Sequence, residues 1–554
     1  MSSSPTTPES NEGQLGLFDA ISIIIGIIIG AGIYETPAGI FRMMSGPWTT
    51  LGLWAICGLL ALIGALCYAE LATTYPRSGG DYVYLTRAYG PLVGYFFGWT
   101  QLAVIQTGSI GLMAFVFADY GARLWKIEDL GWATPVLYAS VAIVVMTFLN
   151  VIGVVFGKRT QNLLFLAKVL GLTGIIVAGF FFSKQDHDMV EGVVNQAKDQ
   201  KLMVESQGQI RTFQIGPKTK ILINNEEFQE TKDKEKKKNT LENLPSQAAV
   251  TVITAKGSPN EVLEVKFKNA PGFSMFAFAM VLIFLTYGGW NDAAFVAAEV
   301  RNRNRNIPLA LIFGTAGVTL IYLLVNGAYI NGLGFERAAE SREVAADVLK
   351  LLPWEFGEQA MCILVMISAL GAVNGLIFTS SRIYATLGAD YSLFAMLGKW
   401  NARYGTPVWS LLIQMVISLS MVAAVGTPWG QEKLNEGLGL LGLEPVSWAG
   451  QAGFYSLLRC TAPIFWIFFL MTGLALLVLR INDRQVVRPF SVPLFPILPL
   501  IFCATCAYMI YSGIGYAGRL GLVGAALVLA GLPFYVLSRR TVDPISSQDY
   551  APSN

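Results

Sequence analysis

The chain has 554 residues, of which 54% are apolar and only 14% are charged. Soluble globular domains carry about 25% charged residues, so this composition excludes an ordinary soluble enzyme. The net charge of +2 does not indicate the strongly basic surface that binds nucleic acid, so no nucleic-acid partner is expected. Apolar runs of about twenty residues, the length that crosses a bilayer as a helix, instead predict a protein embedded in membrane lipid.

Twelve such runs predict twelve membrane spans, at about 18–42, 47–74, 91–123, 134–156, 162–183, 272–299, 307–331, 357–386, 407–426, 453–481, 492–514 and 518–538. The Lys and Arg residues of the loops between spans 2 and 3, 4 and 5, 8 and 9, and 10 and 11, and those that follow span 6, all fall on one side of this arrangement. Positive residues mark the cytoplasmic side, so both termini are predicted to be cytoplasmic. No cleavable signal is expected, because the first 16 residues are polar and have no positive start.

The chain divides by composition into six parts. We expect a cytoplasmic tail (1–17), spans 1–5 (18–183), an extracytoplasmic insert (184–270), spans 6–10 (271–481), spans 11 and 12 (482–540), and a second cytoplasmic tail (541–554).

The insert 184–270 carries 27 of the chain's 76 charged residues. Turn residues separate stretches that are typical of strands, namely Gln209–Ile215, Lys220–Ile223, Ala248–Thr254 and Glu261–Phe267. We predict a small β-rich module of four to six strands. Its partner is unknown, and a solvated spacer without a ligand is the alternative.

Side chains that bind metals or catalyse reactions are scarce. The six cysteines all lie in apolar runs without zinc or disulfide spacing, which predicts buried packing. The one histidine, His187, lies in the insert. We therefore expect no metal, no cofactor and no enzymatic centre.

Spans 1 and 6 each contain a pair of glycines near their middle. Span 1 reads Gly30-Ala31-Gly32 with Pro37 after it, and span 6 contains Gly288-Gly289. Glycine and proline disfavour a continuous helix, and breaks at matching positions of two halves indicate an inverted-repeat transporter. The alternative for span 1 is close helix packing, because Gly26 and Gly30 form a small-xxx-small motif.

A broken helix exposes backbone N–H groups on one side of the break and carbonyls on the other. In hydrocarbon these groups persist only beside a cavity or a polar ligand. A zwitterionic amino acid satisfies both, with each contact contributing up to about 2 kcal/mol when partly buried. The two breaks therefore predict a site for a small zwitterion.

Five motifs occur in chain order: Gly30-Ala31-Gly32-Ile33-Tyr34; Cys67-Tyr68-Ala69-Glu70-Leu71 with Pro76-Arg77-Ser78-Gly79-Gly80-Asp81-Tyr82; Tyr287-Gly288-Gly289-Trp290-Asn291 with Arg305-Asn306-Ile307-Pro308; Gly371-Ala372-Val373-Asn374-Gly375 with Thr379-Ser380-Ser381-Arg382; and Arg488-Pro489-Phe490. As a set they resemble the amino acid–polyamine–organocation (APC) superfamily, and within it the L-type amino acid transporter branch. The resemblance covers nearly the whole chain except the insert.

The resemblance implies an all-α polytopic membrane protein with the LeuT-type fold, in which two inverted five-helix repeats precede two C-terminal helices. It also implies alternating access around a central site between spans 1, 3, 6 and 8. The backbone of Gly30, Ala31 and Gly32 would meet the substrate carboxylate. The other implied contacts are carbonyls near Ile27, Ile28, Phe284 and Leu285 for the ammonium, and Tyr287, Gly288 and Asn291 for the side-chain pocket.

Three features depart from the branch. The aromatic lid two residues before the span-6 tyrosine is replaced by Leu285, with Phe284 one residue earlier. The loop 123–133 has no cysteine, so no disulfide-linked heavy chain is expected, and the chain has no N-glycosylation sequon. The insert is also outside the usual pattern. These features favour a single-chain, bacterial-type member in the inner (cytoplasmic) membrane.

Two ionisable residues in the spans are candidates for ion coupling. By the resemblance, Lys168 in span 5 would substitute for a sodium ion, steady span 1 against span 8 and exchange a proton. Its alternative is a lysine that reaches back to the membrane interface. Glu35 either attracts cationic substrates or carries a proton, or simply stabilises the outer half-helix through its dipole.

A second group of charges is predicted near the cytoplasmic ends of spans 2, 6 and 8. Glu70, Glu299 and Arg382, with Arg77 and Asp81 close by, would pair as an inner gate. Interfacial salt bridges that only fix the topology are the alternative.

Together these features predict a secondary transporter of neutral L-amino acids that works without sodium, by exchange or proton-coupled uptake. A transporter of cationic amino acids or polyamines is the first alternative, because of Glu35. A receptor of the same fold that binds amino acids without transporting them is the second.

Overall fold

The computed structural model shows a bundle of long helices and a separate β-sheet module. The residues described are 15–125, 131–182, 187–198, 201–206, 209–215, 219–223, 226–227, 249–255, 258–268, 273–341, 343–353, 356–440, 442–446, 448 and 453–538. Most of both predicted tails and the Lys-rich stretch of the insert lie outside these ranges.

Within the described ranges, eleven helices are long and apolar enough to cross a membrane, and the shorter apolar helix Leu17–Ile28 precedes them. Spans 2–5 are Pro47–Thr74, Pro91–Leu124, Ala133–Val151 and Val154–Phe181; spans 6–10 are Met275–Glu299, Arg303–Leu333, Gly357–Asp390, Val408–Gly426 and Tyr455–Asn482; spans 11 and 12 are Ile497–Gly515 and Ala517–Leu537. The polytopic helical fold is thereby confirmed. We call the end of the bundle where span 1 begins the terminal end, and the opposite end the insert end.

Shorter helices lie between the spans and do not cross the bundle. They are Asp81–Tyr89, Phe335–Glu340, Val344–Leu349, Ser392–Phe394 and Pro428–Leu440. Those that follow spans 7 and 9 lie at the insert end.

Three spans are irregular, and these irregularities create the central site. Span 1 is helical over Leu17–Ile28 and again over Gly32–Glu35 and Pro37–Met43. Span 6 changes at its paired glycines from the α-helix Phe273–Tyr287 to the 3₁₀-helix Trp290–Glu299. In span 3, one π-helical turn, Gln101–Ile105, interrupts the α-helix.

The described residues of the insert form one seven-stranded sheet in the order β3-β2-β1-β6-β7-β4-β5. The strands β1–β7 are His187–Lys198, Lys201–Ser206, Gln209–Gln214, Lys220–Ile223, Glu226–Glu227, Ala249–Ala255 and Ser258–Lys268. The four predicted strands correspond to β3, β4, β6 and β7, but the total of seven exceeds the predicted four to six. β4 and β7 pair in parallel, while the other pairs are antiparallel.

The insert and the bundle have separate hydrophobic cores. Val194, Leu202, Val204, Phe213 and Val265 are among the residues that form the core of the sheet. The bundle has one continuous core of its own. All six cysteines are buried and unpaired in the bundle, as the sequence predicts.

Candidate substrate-binding site

A cavity of about 130 Å³ lies between the broken spans 1 and 6 and spans 3, 8 and 10. Most of its wall is apolar, including Leu112, Phe465 and Trp466, and the polar exceptions include Gln106 and Asp292. For comparison, an engineered apolar cavity of 150 Å³ accommodates benzene. The cavity therefore suits the side chain of a small organic solute.

Four residues of the predicted site line this cavity: Ile27, Phe284, Leu285 and Gly288. Phe284 packs edge-on against Trp466, with 5.7 Å between ring centroids. Both rings belong to the wall, so Phe284 and Trp466 together supply the aromatic surface near the position where the branch places its lid.

The first break follows Ile28, the last residue of the first helical segment. It places Gly30–Gly32 beside the cavity. A Cβ added at Gly30 would lie 3.2 Å from the Sδ and Cε atoms of Met113, a residue of the cavity wall. A Cβ added at Gly32 would lie 2.9 Å from the Oγ1 atom of Thr286 in span 6. The helix resumes at Gly32, and the first N–H groups of a helix have no acceptor within it.

Span 7 supplies a hydrogen bond donor that joins the two breaks. The hydroxyl group of Tyr322 lies 3.0 Å from the carbonyl oxygen of Ile28 and 3.1 Å from that of Thr286, and its single proton is shared between these two acceptors. The Ile28 carbonyl also accepts from the N–H of Gly30 at 2.8 Å. Because both lone pairs of that oxygen are used, the ammonium contact expected at Ile28 does not fit this conformation.

The second break depends on the backbone of Gly289. Its φ of 103° lies in the left-handed region that favours glycine. A Cβ at this position would also collide with the side chain of Ile27 in span 1. The glycine thus allows both the change of helix type and the close approach of the two broken spans.

Two residues of the predicted pocket lie outside the cavity wall. Tyr287 points to span 2, where its hydroxyl donates to the Trp54 carbonyl at 3.3 Å and its ring packs on Trp54 and Tyr322. Asn291 is buried but is not part of the wall. In this conformation, Tyr287 packs against spans 2 and 7, and neither residue belongs to the cavity wall.

Lys168 is fully buried and binds the first break from the side of span 5. Its ammonium donates to the carbonyls of Gly26 at 2.5 Å and Ile29 at 2.7 Å. It also lies against Gly371 of span 8, where an added Cβ would be 2.7 Å from the nitrogen. The lysine therefore links spans 1 and 8, and its burial excludes the alternative of a side chain that reaches the interface.

Glu35 lies after the first break with its side chain exposed, and it does not line the cavity. Tyr120 of span 3 donates to its carboxylate at 2.5 Å. Arg123 stacks over the Tyr120 ring at 4.8 Å and pairs with Glu343. Glu35 thus belongs to a polar cluster near the insert end, where it is open to solutes.

At the terminal end, the predicted pair of Arg382 and Glu299 is present. Their side chains form two hydrogen bonds, of 2.8 and 3.2 Å, and Arg382 is only 1% exposed. Beside them, Leu15 pairs with the backbone of Glu299 and Arg301. Spans 6 and 8 and the segment before span 1 are therefore held together below the cavity.

The other members of the predicted gate have different partners. Arg77 pairs with Asp390 at 2.6 Å, so it also contacts the end of span 8. Glu70 instead binds Arg480 of span 10 through two hydrogen bonds of 2.7 and 2.5 Å. Glu70 thus ties span 2 to span 10 and is not part of the Arg382 pair.

Asp81 also differs from the expectation of a gate pair. It accepts hydrogen bonds from Tyr68 at 2.5 Å and Thr472 at 2.6 Å. Its partners are neutral hydroxyl groups of spans 2 and 10 rather than an arginine.

Comparisons with known proteins agree with this geometry. Residues 15–536 match the amino acid permease family. The b(0,+)-type amino acid transporter 1 of Mus musculus is 27% identical over 534 residues, which cover 95% of this chain and 88% of that protein. The large neutral amino acids transporter small subunit 2 of Homo sapiens is 25% identical, covering 96% and 83%. The cystine/glutamate transporter of Homo sapiens is 26% identical, covering 95% and 85%. The chain therefore belongs to the amino acid permease family and is a membrane transporter of amino acids rather than an enzyme.

Proposed function

We propose that this protein transports neutral L-amino acids by alternating access, without sodium, through exchange or proton-coupled uptake. The observation that carries the proposal is the largely apolar cavity between two broken helices. The first N–H groups of the resumed span 1 suit a carboxylate. The wall formed by Ile27, Leu112 and Phe284 suits an uncharged side chain.

Lys168 supports the sodium-independent part of the proposal. Its ammonium already occupies two carbonyls at the first break. We propose that this fixed positive charge takes the place of a sodium ion and steadies the break through the transport cycle.

The Arg382–Glu299 pair, together with the neighbouring Arg77–Asp390 pair, is proposed as the inner gate. These contacts close the terminal end below the cavity. Opening toward that end requires them to separate, whereas Glu70 remains bound to span 10.

The location, orientation and partners follow from the same reasoning. We propose the cytoplasmic membrane, with the terminal end and both tails inside and the 184–270 insert outside. The loops at the terminal end carry basic residues such as Arg77, Lys158 and Arg301, and positive residues mark the cytoplasmic side. One relative is named as a small subunit. The loop 123–133 has no cysteine, so we propose that the chain works without a disulfide-linked heavy chain.

The test is counterflow into proteoliposomes that contain the purified protein. Vesicles loaded with unlabelled leucine are placed in sodium-free buffer with labelled leucine outside, and empty vesicles serve as the control. Accumulation that depends on internal leucine supports exchange, whereas accumulation driven by an imposed pH gradient supports proton coupling. Binding of leucine without accumulation under either condition would refute transport and favour a receptor.

A further inference from the structure

Asp292 places a carboxyl group in the wall of the cavity without a positive partner. The residue is 2% exposed, and its one hydrogen bond comes from the Nε2 atom of Gln106 to Oδ1 at 3.4 Å. That distance is at the long end for a hydrogen bond. Among the described residues, the buried Oδ2 atom has no hydrogen bond donor.

The neighbouring elements do not neutralise this carboxyl group. Two titratable groups interact electrostatically with it: Asp81, which has the same sign of charge, and Tyr384 of span 8, whose hydroxyl donates to the carbonyl of Gln101. Other charged and titratable side chains on the packed elements are engaged elsewhere, namely Arg382, Glu70, Tyr68 and Tyr322.

Gln106 adds a second acceptor at the same place. It follows the π-helical turn Gln101–Ile105, and π-turns occur frequently at functional sites. Its Oε1 atom is buried and also has no partner within the described part of the chain. Gln106 and Asp292 both line the cavity, so two unused acceptor atoms belong to its wall.

We propose that Asp292 and Gln106 form a subsite that binds one positive charge during transport, an inference that rests on the proposed function of the cavity. An unpaired carboxylate at membrane depth costs several kcal/mol, so this group requires either a proton or a cation carried by the substrate. Oxygen acceptors without donors suit both. The ligand class is therefore a proton with a neutral amino acid, or the side-chain ammonium of a cationic one.

The position of the subsite favours the substrate side chain over the α-ammonium as the source of this charge. Gln106 lies seven residues before Met113 on span 3, a separation of about 10 Å along the helix axis. Met113 is the wall residue beside Gly30. A substrate whose carboxylate is bound at the first break would direct its side chain toward the subsite.

The test compares Asp292→Asn with the unaltered protein in sodium-free counterflow. Labelled leucine and labelled lysine are each measured at pH 5.5, 6.5 and 7.5. Glu436→Gln is the matched control, because it removes a carboxylate that is 53% exposed and outside the cavity. Asp292→Glu retains the charge and is expected to preserve the behaviour of the unaltered protein in part.

Two results would support the subsite and would distinguish the source of the charge. A fall in lysine transport that exceeds the fall in leucine transport by at least tenfold assigns the charge to the substrate side chain. Loss of the pH dependence of the leucine exchange that the variant still carries out assigns it to a proton. Leucine, lysine and pH responses that match those of Glu436→Gln would overturn the proposal.

The unaltered protein provides a measurement that does not depend on the folding of a variant. Lysine and norleucine have similar unbranched side chains, but only lysine carries a terminal cation. The subsite predicts either that lysine competes with labelled leucine more strongly than norleucine does, or that leucine counterflow changes with pH. If leucine is transported and neither effect is seen, the subsite is refuted while the proposed function stands.

Discussion

Replacing Lys168 with methionine tests whether a fixed ammonium holds the first break. The substitution keeps the length of the side chain but removes the donor to the carbonyls of Gly26 and Ile29. A hydrogen bond to a charged group contributes about 1.5–3 kcal/mol, so the two together contribute roughly 3–6 kcal/mol. At about 1.4 kcal/mol per tenfold, even the lower value is a change of about a hundredfold in the population of the observed arrangement.

We therefore expect Lys168→Met to lower leucine counterflow by at least tenfold, with the protein still present in the membrane. Lys433→Met is the matched control, because the Lys433 side chain is 51% exposed and pairs with Glu436 at the surface. Purified variants are compared by size-exclusion chromatography before reconstitution, so that loss of folding is separated from loss of transport.

A second perturbation reaches the same lysine from span 8. Alanine at Gly371 would place a methyl group 2.6 Å from the Cε atom of Lys168, which displaces the lysine without removing its charge. Gly174→Ala in span 5 is the control, since an added Cβ there meets nothing within 4 Å. If Lys168→Met and Gly371→Ala both transport leucine within twofold of the controls, the role assigned to this ammonium is refuted.

Four further predictions follow from other contacts. Glu299→Gln should reduce transport at least tenfold, because breaking a buried ion pair costs about 3–5 kcal/mol, and the exchange of Arg382 and Glu299 should restore part of it; no recovery would contradict their pairing as a gate. Tyr322→Phe should lower the free energy of unfolding by about 1–3 kcal/mol, because the two carbonyls at the breaks lose the donor that they share. An unchanged melting temperature would contradict this. Gly289→Ala should abolish counterflow through backbone strain and collision with span 1, and activity within twofold would refute the geometry. Replacement of 187–268 by a Gly/Ser linker should leave leucine transport within twofold, because the sheet has its own core; loss of transport in a correctly inserted protein would assign the insert a direct role.

The sequence predicts the breaks well because their cause is local. Paired glycines disfavour an α-helix wherever they occur in a span, and Gly289 adopts the left-handed backbone that few other residues tolerate. Lys168 is also visible from sequence alone, because a single charge in an apolar run must have a partner. Its acceptors at Gly26 and Ile29 lie in another span.

Contacts between distant spans are much harder to predict. Tyr322 joins two breaks that are 294 and 36 residues away, and nothing in its local pattern separates it from a tyrosine at the membrane interface. Trp466 also lies in the cavity wall, and its local pattern likewise does not separate it from a tryptophan at the membrane interface. Asp292 was missed although it follows Asn291. From sequence alone, a carboxylate near the end of a span is interpreted as an interfacial charge, and only the structure shows that Asp292 is buried.

The strand β1 was missed because its alternation of apolar and polar residues is weak. β1 contains Asp188, Glu191 and Lys198 among its apolar residues. Its apolar and polar residues therefore do not alternate regularly. The pairing of β1 with both β2 and β6 decides its conformation. Such long-range pairing outweighs local strand propensity.

The donors around the first break support the proposal that this site binds the carboxylate of its ligand. Lys168 occupies the carbonyls of Gly26 and Ile29, and Tyr322 occupies that of Ile28, so the protein itself satisfies most of the negative end of the break. The N–H groups where the helix resumes at Gly32 have no such acceptor within the helix. The unsatisfied half of the break is therefore the positive one, and an anionic group on the substrate completes it. At the other end of the cavity, the Oδ2 atom of Asp292 has no hydrogen bond donor among the described residues. We propose that a positive charge is bound there. A single solute that satisfies both ends carries a carboxylate at the first break and, about one side-chain length away, either a cation or an uncharged tip accompanied by a proton.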